Sequence, residues 1–355
     1  MATADSYRGM DEEELRKRIR DRKAEFGGRL IVLGHHYQRQ EVIDFSDFRG
    51  DSLGLSQRAA AQRDCEFIVF CGVHFMAESA EILRQEHQTV QHPDLQAGCP
   101  LAGMADLGAV AQAWEIVQDA LDGDRVTPLT YMNSEAALKA FCGARGGAVC
   151  TSSNAAAAFR WAFRKSEKLF FFPDEHLGRN SARHIGIPAQ EILLWDPAGS
   201  PGDPDIRRKV GAASLILWQG FCHVHTRFRV EHVRQARAAN PSAKVVVHPE
   251  CREEVVQEAD AAGSTEFICR YAAEAAPGST VFIGTEINLV SRLAREHPDK
   301  NIFELARSLC PNMFRIDLPK LLWTLDGIGR VNRVYVDPET KGQARLALER
   351  MLEIA

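Results

Sequence analysis

Three segments of the chain repeat one pattern: a short apolar, largely β-branched run stops abruptly at an aromatic or imidazole residue, with another polar group two positions on. Leu30-Ile31-Val32-Leu33-Gly34 leads to His35, His36 and Tyr37; Val126 to Thr130 leads to Tyr131 and Asn133; Lys244 to Val247 leads to His248 and Glu250. Runs of this length and abruptness fit strands buried on both faces of a parallel sheet. Two further strand candidates follow each one: Glu66 to Cys71 and Thr89 to Gln91, then Ala148 to Cys150 and Lys168 to Phe172, then Glu266 to Arg270 and Thr280 to Gly284. Helix-like stretches separate them, as in repeated βα units. The fold class expected is α/β, built from three similar layers of about three parallel strands each. Repeats of roughly 90 to 120 residues are duplicated domains, since solenoid units run about 20 to 50.

In open α/β sheets, ligands bind beyond the carboxyl ends of the strands, so the polar residues closing the first strand of each unit should face a site. Three such units can converge on one cavity. The expected domains are residues 1–98, 99–221 and 222–314, with 315–355 packing back on the first. Leu318 to Leu325 and Gln343 to Leu352 have helical apolar spacing, and Asp317 and Pro319 supply a cap and a first-turn proline. Asp196 to Pro204, rich in Gly and Pro, reads as an internal loop.

The net charge of −5 arises from 43 basic and 48 acidic residues with no long single-sign block, so neither nucleic acid nor an anionic membrane is the expected partner. The first twenty residues lack a signal-peptide core, and no stretch approaches the roughly 20 apolar residues of a membrane span. A cytoplasmic protein with a small-molecule role is expected. Nine cysteines are too sparse for a disulfide scaffold of this length.

Among the cysteines, Cys99, Cys222 and Cys310 stand apart because each closes one unit at a turn or polar segment, in Gly98-Cys99-Pro100, Phe221-Cys222-His223-Val224-His225 and Leu309-Cys310-Pro311. One thiolate from each of three units, brought to a shared centre, is a ligand set for an iron–sulfur cluster. The alternative is three buried, inert thiols, the reading preferred for Cys65, Cys71, Cys142, Cys150 and Cys269, which lie in or beside apolar runs. Cys251 is a candidate redox-active neighbour.

The local phrases resemble, together and in order, those of the quinolinate synthase family over nearly the whole chain. They include Gly34-His35-His36-Tyr37-Gln38, Gly50-Asp51-Ser52-Leu53, Cys71 to Glu78, Tyr131-Met132-Asn133-Ser134, Cys150 to Ala155, His248-Pro249-Glu250-Cys251, Gly263-Ser264-Thr265 and Gly284-Thr285-Glu286. The resemblance implies three αβα domains in a pseudo-threefold arrangement around a central active site. It also implies one [4Fe-4S] cluster per chain, held by Cys99, Cys222 and Cys310 with one iron left open as a Lewis acid. The reaction implied condenses iminoaspartate, supplied by L-aspartate oxidase, with dihydroxyacetone phosphate, losing phosphate and water to give quinolinate in de novo NAD biosynthesis.

By the same resemblance His35, Ser52, Tyr131, Asn133, Ser152, His248, Ser264 and Thr265 bind the substrate or its phosphate. Tyr37 and Glu250 are the expected acid and base, with His248 close by. A phenol near pKa 10 and a carboxyl near 4.3 would have to be shifted by their surroundings to exchange protons at neutral pH. Ser152, Ser264 and Thr265 could equally cap helices, and a helix start that caps itself also holds anions. The interval from Cys99 to Cys222 spans 123 positions against 88 from Cys222 to Cys310, so extra loops are expected in the second unit, at Arg145-Gly146-Gly147 or Asp196 to Pro204. Two competing readings are a sensor or binding protein stabilised by a cluster, and another [4Fe-4S] hydro-lyase.

Overall fold

A computed structural model describes residues 3–121 and 126–354. It contains three separate sheets, every one of them parallel throughout. The first consists of β1 (Leu30–His35), β2 (Phe48–Gly50), β3 (Phe67–Cys71) and β4 (Thr89–Gln91) in the order β2-β1-β3-β4. The second has β5 (Val126–Tyr131), β6 (Ala148–Cys150), β7 (Lys168–Phe172), β8 (Ile192–Trp195) and β9 (Leu215–Trp218), ordered β6-β5-β7-β9-β8. The third has β10 (Lys244–Val247), β11 (Ala261–Ala262), β12 (Thr280–Gly284) and β13 (Asn301–Glu304), ordered β11-β10-β12-β13. Helices follow the strands and cover the faces, which is why β1 and β5 are buried along their whole length.

The three sheets share one order, in which the chain steps outward from the first strand to an edge strand and then returns to the other side. The reversal lies between the first strand and its third, the switch point at which open α/β sheets form their binding crevice. This alignment corrects the sequence reading at several points. The sheets have four, five and four strands rather than about three: β2, β8, β9, β11 and β13 are added, of which β2 and β11 are edge strands of only three and two residues. Glu266 to Arg270 is not a strand but part of the helix Thr265–Glu274, since Ile268 and Ala272 place an apolar face at a spacing of four. The long interval in the second unit is filled by β8 and the helix Ile206–Ala212, which add an outer strand beyond β9.

The C-terminal segment divides between two layers. The helix Leu318–Asp326 starts at Asp317, whose side chain accepts from Lys320 N at 2.9 Å, and it packs on the helix Glu12–Phe26, where Asp326 meets Arg18 at 2.7 Å. The helix Pro338–Glu353 lies instead on the second layer, against the helix Ala136–Ala144 and β6, with contacts to the helix His74–Leu83 of the first. It approaches closely at Gly143, where a Cβ would stand 1.8 Å from the Gln343 carbonyl oxygen. Among the described residues, no helix is long and apolar enough to cross a membrane.

Candidate active site

The carboxyl ends of the three sheets meet at one cavity of about 620 Å³, mouth included. From the first layer, His35 at the end of β1 and Tyr37 just beyond it line the cavity, with Ser52 at the start of the helix Ser52–Ala61; from the second come Tyr131 at the end of β5 and Asn133 beyond it, with Ser152 after β6. His248 and Glu250 beyond β10 and Thr265 at the start of its helix complete the set from the third. Cys99, Cys222 and Cys310, each in the segment that follows the fourth strand of the shared order, line the same cavity. Ser264 does not line it: its hydroxyl caps the helix Thr265–Glu274, accepting from Phe267 N at 3.3 Å.

Local geometry repeats along with topology. The backbone N–H of Tyr37 donates to His35 Nδ1 at 3.3 Å, and that of Glu250 donates to His248 Nδ1 at 3.3 Å. In each case Nδ1 is the acceptor, which leaves the ring proton on Nε2. Burial holds both imidazoles neutral, with His248 pushed down to about 3 and His35 well below its ordinary value. Each ring therefore has its N–H at Nε2.

A proton network crosses all three layers. The Tyr37 hydroxyl lies 2.5 Å from Thr285 Oγ1, beyond β12, and 3.2 Å from His225 Nε2. The other nitrogen of that ring, Nδ1, is 2.9 Å from Glu250 Oε2, and Tyr131 donates its hydroxyl proton to Glu250 Oε1. His248 stacks on His225 with ring centroids 4.3 Å apart. Glu250 is 2% exposed. Burial alone would raise its carboxyl, but His225 and His248 beside it and the bonds from His225 and Tyr131 hold it well below the usual carboxylate range. Burial and the nearby Glu250 push the Tyr131 phenol up, and burial does the same to Tyr37. Both groups are shifted by their surroundings: Tyr37 holds its proton more firmly, and Glu250 yields its own more readily, than the free side chains do.

His225 and Thr285 were not singled out from the sequence, although both stood in quoted phrases. Their signal was position: Thr285 follows β12 directly, as His248 follows β10, and the third strand of each sheet borders the crevice. Asp51 was also missed. It caps the helix Ser52–Ala61 through Gly54 N at 2.8 Å and accepts from the Ser153 hydroxyl, joining the first layer to the second.

The cysteines separate as their surroundings dictate. Burial pushes the Cys99 thiol up to about 12 and raises Cys222 and Cys310 as well. Cys65, Cys71, Cys142 and Cys150 are buried away from the cavity, and Cys251, wholly buried and outside the cavity lining, has a thiol raised by the same cause. A donor set of three sulfurs around one cavity suits iron–sulfur ligation, and bound iron would take them as thiolates. One donor atom each from Cys222, His225 and Glu250 also lies within 4.8 Å of the other two.

Three parallel αβα layers whose crevices share buried acid–base groups, three cysteines and a candidate metal-binding group define an α/β protein of the enzyme type. The profile of the family described as Quinolinate synthetase A protein matches residues 17–353. The quinolinate synthase of Geobacillus sp. (strain WCH70) is 49% identical over 99% of this chain and 96% of its own length, and that of Halalkalibacterium halodurans is 48% identical over 99% and 96%. The quinolinate synthase of Nocardioides sp. (strain ATCC BAA-499 / JS614) is 50% identical over 95% of this chain and 89% of its own length. The chain belongs to the quinolinate synthetase A family.

Proposed function

We propose that the chain is a quinolinate synthase of de novo NAD biosynthesis, condensing iminoaspartate with dihydroxyacetone phosphate and releasing phosphate and water. The observation that carries this reading is the convergence of Cys99, Cys222 and Cys310 on the cavity that also contains Glu250, His248 and Tyr37. A sensor held together by a cluster has no need of that acid–base set, and the family assignment favours the enzyme. Residues 1–98, 99–221 and 222–314 are taken as the three units, with Cys99 and Cys222 at the two boundaries and Cys310 near the end of the third. The setting proposed is the cytoplasm, with iminoaspartate drawn from L-aspartate oxidase.

The three cysteines would hold a [4Fe-4S] cluster, and a cluster with three protein ligands supplies an open iron acting as Lewis acid toward substrate oxygen. The remaining roles fall to the chain's own groups. Ser52 and Thr265 stand at helix N-termini, and Ser152 just before one, where backbone N–H groups and helix dipoles favour carboxylate and phosphate. Neutral His35 and His248 donate from Nε2, and Asn133 and Tyr131 add polar contacts. Glu250, ionised in the free site, accepts the proton released on condensation. Tyr37 is the acid, its hydroxyl held in place by Thr285 and His225.

The test is turnover by the anaerobically reconstituted protein with the two named substrates. Quinolinate and phosphate formed in equal amounts are expected. Reconstituted protein that yields neither would overturn the reading.

A further inference from the structure

The Cys222, His225 and Glu250 group overlaps the cysteine triad at one residue only, and its geometry suits a single metal ion. His225 Nδ1 and Glu250 Oε2 are 2.9 Å apart. Two bonds of ~2.0 Å to a tetrahedral ion would separate their donor atoms by roughly 3.3 Å, so a small opening admits the ion. Behind these donors stand the partners a metal site needs. The far ring nitrogen, Nε2, lies 3.2 Å from Thr285 Oγ1, and the far carboxylate oxygen accepts from Tyr131. Such bonds fix the tautomer of a ligating imidazole and the orientation of a ligating carboxylate. The side chains of His225 and Glu250 are 2% and 3% exposed, and the cavity gives an entry path.

We propose that the cluster-free protein binds one divalent ion of the zinc type through Cys222 Sγ, His225 Nδ1 and Glu250, with water in the fourth position, and that this ion blocks cluster assembly. The site stands on these donors; the blockade rests on the cluster reading above, because Cys222 cannot serve both. Binding releases the Cys222 thiol proton and transfers the His225 ring proton from Nδ1 to Nε2, where Thr285 accepts it. Thiolate and carboxylate together balance the two charges of the ion. The mixed sulfur, nitrogen and oxygen set selects zinc over magnesium or calcium, which take oxygen alone. Protein that has lost its cluster in the presence of zinc would be arrested in an inactive form.

The experiment titrates full-length, cluster-free protein with zinc against a chromophoric chelator, without oxygen. One zinc per chain is expected. Cys99→Ser and Cys310→Ser should bind it nearly as tightly as the unaltered protein, whereas Cys222→Ser, His225→Gln and Glu250→Gln should each lose more than the roughly 10- to 100-fold that an outer partner contributes. The unaltered protein loaded with cobalt should show the charge-transfer intensity of one thiolate bond, a readout that needs no variant to fold. Equal losses in Cys99→Ser and Cys310→Ser, a three-thiolate cobalt spectrum, or no binding at all would overturn the site. Zinc-loaded protein offered iron and sulfide should assemble no cluster until chelator is added; assembly at the zinc-free rate would overturn the blockade. Absence of any cluster even without zinc would instead count against the cluster reading, and with it the blockade, leaving the zinc site to be judged by the titration.

Discussion

The Tyr37 hydroxyl, beyond the first strand of the first layer, lies 2.5 Å from Thr285 Oγ1, beyond the third strand of the third. A bond of this kind exists only if two layers are docked in one register, so the acid–base network depends on the assembly of the three units and not on any one of them.

The first prediction concerns that network. Tyr37→Phe and Glu250→Gln are nearly isosteric, so each should retain cluster content and lose turnover by about 10²- to 10⁴-fold, the size of a general acid or base contribution. Steady-state rates on protein of verified iron content check this, and near-normal rates in both would move proton transfer elsewhere.

A second prediction separates the cysteines. Cys99→Ala, Cys222→Ala and Cys310→Ala should fail to hold a full cluster after anaerobic reconstitution, whereas Cys65→Ala and Cys142→Ala should reach full iron content. The latter two side chains are 3% and 0% exposed and line no part of the cavity. Iron and sulfide analysis decides it.

The third prediction follows from His92, which is wholly buried, bonds the Gly72 carbonyl at 3.2 Å, and is lowered by that burial to about 4. Unfolded, it would titrate near 6.5. Between those values the unfolded chain binds the extra proton, so its contribution is complete above about pH 6.5 and is lost as pH falls toward 4. Relative to His92→Gln, the unaltered protein should therefore lose stability on acidification by up to about 1.4 kcal/mol per pH unit in this window. Urea midpoints of both proteins across the range measure the difference, and parallel curves would contradict it.

The fourth prediction tests the C-terminal helix. Gly143→Ala places a methyl against the Gln343 carbonyl, and the helices Ala136–Ala144 and Pro338–Glu353 must separate to admit it. A loss of about 1–3 kcal/mol is expected from such overpacking, read from chemical unfolding. Unchanged stability would mean that the two helices yield freely.

Much of this arrangement was legible before the structure. The endings of β1, β5 and β10 announced themselves because a strand buried on both faces is apolar until the crevice begins, and His35, Tyr131 and His248 mark that boundary. Edge strands leave no such trace: Phe48–Gly50 and Ala261–Ala262 are too short to show a period. Phe267, Ile268 and Cys269 fit a short strand as readily as a helical face, and only packing decided for the helix. His225 was overshadowed by Cys222 three positions earlier, and of the adjacent Ser264 and Thr265 only Thr265 lines the cavity, while the Ser264 hydroxyl accepts from its own helix.

The central claim is that three cysteines hold a cluster with one iron open to the cavity where Glu250, His248 and Tyr37 act. Mössbauer spectroscopy of iron-57-labelled protein, with and without bound quinolinate, tests it most directly. The account predicts four irons per chain, of which one changes its parameters when quinolinate binds. Four equivalent irons that ignore the ligand, or a protein that takes up no cluster, would contradict it.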